Sequence, residues 1–99
     1  MANNIMTRDN FIATIGYDRA VSIVSKSEVA GLKGKSFDAI LASGHFRQAA
    51  ACAIYNNDDI EKQKVVDAYN AATGGHYTVK KLSKLFGIAE PSGKKVLAL

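Results

Sequence analysis

Chemistry at a side chain needs a nucleophile, an acid–base pair or a set of metal ligands at workable spacing, and this chain offers few of them. The only cysteine, Cys52, and the two histidines, His45 and His76, are the first to weigh. His45 precedes Cys52 by seven residues, two turns along one helix, so the two cannot meet as base and nucleophile. Neither histidine has a ligating partner three or four residues away, as a helical metal site requires. Cys52 is therefore expected to be a small buried thiol. Asp58, Asp59 and Glu61 stand together, but capping and the helix dipole account for acids at a helix start without catalysis. Tyr55, Tyr69 and Tyr77 offer ring faces for stacking, with Tyr69 expected in the core. No catalytic residue, cofactor or metal is predicted, and the sequence points to a small non-enzymatic binding protein.

Charge gives a sharper lead. The net charge is +4, and basic and acidic residues balance through Gly75. The whole excess falls in 76–99, where Lys80, Lys81, Lys84, Lys94 and Lys95 face Glu90 alone. An anionic partner is expected there, with the five lysines on DNA phosphates, which predicts salt-sensitive and weakly sequence-selective binding. Within the same segment Ser83 takes a small-residue place, Gly87 a turn and Ile88 the apolar place after it, over core residues Leu82 and Phe86. Thr78 to Leu97 thus resembles a helix-turn-helix segment, which implies a second helix reading the major groove. The chain departs from that pattern at Gly93, where the second helix would bury an apolar residue. Gly34-Lys35-Ser36 resembles the close of a phosphate-binding loop, but Val29 stands where the motif needs its first glycine. The motif also needs a parallel sheet around it, which a 99-residue chain with few strands cannot supply, so nucleotide hydrolysis is excluded; a phosphate held at the Ser36 helix start, with Lys33 and Lys35, is the residual idea. The competing expectation is a protein-interaction or self-association module with no nucleic-acid role, docking through an exposed apolar patch around Phe37, Phe46 and Tyr55.

These residues must be positioned by a fold, and composition bounds it. A chain that is 47% hydrophobic and 22% charged, with 8 glycines and 1 proline, suits a globular domain of ordinary make-up. One helical domain over 7–99 is expected, after a loose terminus over 1–6. No apolar run reaches membrane-span length, Met1 to Asn10 lacks a signal-peptide pattern, and a lone cysteine suits a reducing compartment. A cytoplasmic protein without a membrane partner is expected.

The expected fold is all-α, a single-domain bundle of five or six short helices around one alanine-rich helix. That central helix is His45 to Tyr55, where Phe46, Ala49, Ala50, Ala53 and Ile54 share a face. Small side chains there let neighbouring backbones approach closely. Thr7 predicts the start of a first helix over residues 8–15, with Met6 and Phe11 as a hydrophobic staple. Residues 20–24 are β-branched and short. A helix capped by Asp18 is preferred there, and the alternative is an α+β fold with a β-hairpin over 11–24. Ser36 caps the next helix, Ser43-Gly44 breaks it from the central one, Asp58 starts another, and Gly74-Gly75 stops it. Thr78 is expected to cap a last helix that ends at Gly87, with Lys94 to Leu99 either a short helix or a docked extended end.

Overall fold

A run of β-branched residues takes a strand wherever a sheet can receive it, and residues 21–24 find one on both sides. In the structure, a computed structural model that describes residues 7–18, 21–88 and 95–98, strand β1 (Thr14–Asp18) pairs antiparallel with β2 (Val21–Val24). On the far side of β2, strand β3 (Lys95–Ala98) pairs parallel with it, from Val21 opposite Lys95 to Val24 opposite Ala98. The order is β1-β2-β3, so β1 and β3 flank a central strand whose Ser22 and Val24 are buried.

This corrects the all-α expectation. The described residues are mostly helical, but the α+β alternative fits residues 14–18 and 21–24, and Val21–Val24 is a strand where a helix over 20–24 is preferred from the sequence. An isolated hairpin is marginal in water, which is what weighed against it. The third strand removes that objection, and it arrives from the other end of the chain. Residues 19 and 20, between the paired strands, lie outside the described residues.

Parallel pairing of β2 with β3 requires a crossover, and here the crossover is nearly the whole helical body. Helix α1 (Arg8–Ile12) precedes the sheet. Thr7 Oγ1 accepts the Asn10 amide at 3.2 Å, as the capping signal predicts, but the helix stops well before Ile15. Thr14 donates its hydroxyl to the Asn10 carbonyl at 2.8 Å and passes the chain into β1. The staple residue Met6 falls outside the described residues, as does the whole 1–6 terminus.

Between β2 and β3 come α2 (Lys26–Leu32), α3 (Phe37–Ala42), α4 (Phe46–Asn56), α5 (Asp59–Thr73), a 3-10 turn (Val79–Lys81) and α6 (Leu82–Phe86). Their starts obey local chemistry: Ser25, Ser36 and Asp58 each accept a backbone amide of the first turn. Helix α4 is the spine. It packs against α1, α3, α5 and α6, and the six residues from Ala49 to Ile54 are all buried, including Ala51 and Cys52 on the side opposite the predicted face. A helix walled on all sides must be apolar all round, and methyl-sized side chains make room for four neighbours.

Candidate nucleic-acid interface

The basic surface begins with how α5 ends. Gly74 adopts φ +71°, a left-handed conformation that costs a residue with a Cβ, and its amide closes the helix on the Asn70 carbonyl at 2.8 Å. The loop then doubles back along α5. Asn70 grips it twice: its Nδ2 donates to the Tyr77 carbonyl at 3.0 Å, and the Tyr77 amide donates to its Oδ1 at 2.9 Å. The side-chain amide thus pairs with the loop backbone as a neighbouring strand would. A Cβ on Gly75 would lie 2.6 Å from the Tyr77 ring, so only glycine allows the ring to settle there. Tyr69, one residue before Asn70, packs edge-on against Phe46 and Phe86 and at a tilt against Tyr77, with ring centres 5.2–5.5 Å apart. One tyrosine therefore ties α4, α5, the loop and α6 together.

With the loop fixed, the chain enters the 3-10 turn and α6. Thr78 makes no side-chain cap, contrary to expectation; the turn closes by the Lys81 amide on the Thr78 carbonyl at 3.0 Å. Leu82 is the buried anchor and Val79 is half-buried. Lys80, Lys81 and Lys84 are all exposed, with Lys84 one turn beyond the other two. Among the described residues no carboxylate lies within salt-bridge distance of any of them, whereas Arg8, Lys62 and Lys64 are paired with Asp9, Asp59 and Asp38. Of the other two predicted lysines, Lys95 lies on β3 with its backbone opposite Val21, and Lys94 is outside the described residues.

The helix-turn-helix resemblance does not survive as a fold. Helix α6 ends at Gly87, with φ +64° as predicted, but residues 95–98 are a strand in the sheet. The six intervening residues fall outside the described residues. The physical reason is the free side of β2, which offers Val96 a buried place that a second surface helix would not.

Beside the lysines lies a cavity of about 590 Å³ between the end of α4, the start of α5 and the 3-10 turn. Ile54, Val79 and Leu82 make its apolar floor, and Tyr55 adds an aromatic wall. Its polar lining is Asn57, Lys62, Lys80 and Ser83. Lys62 donates to Asn57 Oδ1 at 3.1 Å and lies 3.8 Å from Asp59, which fixes its ammonium in place. Asn57 itself sits at φ +51°, closing α4 in a left-handed cap that asparagine tolerates. Lys80 therefore belongs to both the lysine row and the cavity. Asn57 and Lys62 were not singled out by the sequence, and Ser83 was singled out only as the small-residue place of the helix-turn-helix resemblance.

Of the other predicted residues, Tyr55 lines this cavity and the rest fall elsewhere. Phe37 is buried at 6% exposure, Phe46 packs on Tyr69, and Tyr55 packs on Phe11 with ring centres 5.8 Å apart. Of the three residues expected to form a docking patch, tertiary packing covers the Phe37 ring and half-covers those of Phe46 and Tyr55. Among the described residues the large apolar side chains that are exposed are Ile15, Ile60 and Tyr77. Ile15 lies at a bulge in β1, where the register shifts between Thr14 and Gly16. A second cavity of about 460 Å³ adjoins it, lined by Thr14, Ile15, Glu28, Arg47 and Ile88 among others. Ser36 spends its hydroxyl on the Ala39 amide at 3.1 Å, so the Gly34-Lys35-Ser36 run is a turn and a cap. His45 and His76 are both exposed, and among the described residues no group of three potential ligands could hold a metal ion. Cys52 is fully buried, and burial pushes its thiol pKa up, opposed by the nearby Arg8 guanidinium. A thiol so held is a poor nucleophile.

No helix among the described residues is long and apolar enough to cross a membrane. Compared with protein-family models, curated proteins and solved structures, the chain matches none.

Proposed function

We propose that this is a small non-enzymatic binding protein that meets nucleic acid through Lys80, Lys81 and Lys84. The support is a row of three exposed lysines on successive turns, with no carboxylate beside them among the described residues, on a segment held to the core by Leu82. Without a recognition helix the contacts fall on phosphates, so affinity follows charge more than sequence. Lys94 and Lys95, in the same basic quarter, add to that field.

Three phosphate contacts on duplex DNA give a log–log salt slope of about −2.7, so raising salt from about 50 to 200 mM weakens binding about 40-fold. Fluorescence anisotropy with a duplex of arbitrary sequence measures this. Replacing Lys80, Lys81 and Lys84 with Gln flattens the slope by about that amount. No binding at low salt, or an unchanged slope in the triple variant, would refute the proposal.

A second proposal, self-association with no nucleic-acid role, is favoured by Ile15. Its side chain is 62% exposed on β1, whose outer edge pairs with no strand among the described residues. An uncovered edge carrying an apolar side chain is a template for a second strand.

A further inference from the structure

We propose that the cavity between α4, α5 and the 3-10 turn receives one unstacked nucleotide, so that the preferred partner is single-stranded rather than duplex nucleic acid. The inference rests on the nucleic-acid reading above and names the form of the partner. Binding of a single strand needs a positive track for the backbone and an aromatic or apolar surface for bases freed from the stack. Both occur here and share Lys80. The lysine row supplies the track, and the cavity beside it supplies Tyr55 with the floor of Ile54, Val79 and Leu82.

The polar lining fits one nucleotide. Asn57 and Ser83 offer hydrogen bonds suited to a base edge or a sugar hydroxyl. Lys62 and Lys80 supply positive charge for the phosphate of the inserted unit. Lys62 is already engaged by Asn57 and lies near Asp59, so Lys80 provides the uncompensated part of that charge. Asp59 is itself 92% exposed, so solvent screens it. The volume, about 590 Å³, is within the range of small-ligand sites. A base inside a duplex cannot enter without leaving its stack, whereas a single strand presents bases at little cost.

The test compares a labelled single-stranded 12-mer of mixed sequence with its duplex, by anisotropy at low salt, on the full chain. The single strand is expected to bind at least tenfold tighter. Ser83→Phe fills the cavity from its rim and should remove that preference while duplex binding stays. Tyr55→Leu keeps an apolar contact for Phe11 but removes the stacking face, and should weaken single-strand binding by about 5- to 160-fold. Thermal melting of each variant reports its folding, and Ser83→Phe carries the test if Tyr55→Leu does not fold. Equal binding of the two forms, or a preference indifferent to Ser83→Phe, overturns the cavity inference and leaves phosphate binding standing. Absence of binding to either form overturns both.

Discussion

Replacing Asn70 with Ala tests whether the basic surface is held by the double hydrogen bond described above. The substitution removes a donor to the Tyr77 carbonyl and an acceptor for the Tyr77 amide, and leaves the helix itself with a better helix former. Each bond is worth about 0.5–1.5 kcal/mol net, and since both groups are near solvent the lower half of the range applies, giving about 1–2 kcal/mol together. Helix propensity returns about 0.5 kcal/mol, so a net loss of about 1 kcal/mol is expected, or about 4–8 °C in melting temperature for a domain this size. Hydrogen exchange gives the sharper assay. The Tyr77 amide should lose its protection in the variant, while amides of α4, buried in the spine, change only by the global loss. Asn70→Asp keeps the acceptor but sets an oxygen against the Tyr77 carbonyl, so Tyr77 protection should persist while stability still falls. An Asn70→Ala protein with unchanged melting and a protected Tyr77 amide would mean that the aromatic cluster around Tyr69 alone fixes the loop, and the reasoning would be wrong.

Ser22 is fully buried on the central strand, and its hydroxyl has no hydrogen-bond partner among the described residues. Ser22→Ala should therefore stabilise the protein by about 1 kcal/mol in urea unfolding; destabilisation would show that the hydroxyl is satisfied. If β1 is a self-association edge, sedimentation velocity should find a dimer that Ile15→Lys returns to monomer and that the Lys80, Lys81 and Lys84 changes to Gln leave intact. A monomer at all concentrations for the unmodified chain would dispose of that reading.

What was legible in the sequence was whatever local chemistry decides. Helix starts at Thr7, Ser36 and Asp58 are set by a side-chain oxygen and the amide two or three residues on, and those signals lie within one turn. The stops at Gly74 and Gly87 depend on one residue's φ and were equally visible. The alanine-rich spine was visible from its spacing. Lys80, Lys81 and Lys84 could be located by charge alone, since nothing nearby opposes them in the sequence.

The misread elements share a different cause. Strand β2 is stabilised by β3, whose four residues are too few to announce themselves and lie some seventy positions away. Judged within its own window, the hairpin looked unsupported, and a helix looked the safer state for residues that are in fact strand. The same strand sets the start of α2, since with β2 ending at Val24 the next residue, Ser25, is free to cap that helix.

The cavity was illegible for the same reason one level higher. Tyr55 and Asn57 come from the end of α4, Lys62 from the first turns of α5, and Lys80 and Ser83 from beyond the returning loop. No spacing rule joins them, because their proximity depends on Asn70 and Tyr69 turning the chain back across α5. In the nucleic-acid reading, the lysine row without that return would be a solvated helix face. Beside a cavity lined by Tyr55 it gains a place for a base, so the residues that fold the loop matter to binding even though none of their side chains need touch the ligand. Asn70→Ala should then weaken single-strand binding more than duplex binding, since duplex contacts use the lysines and not the cavity.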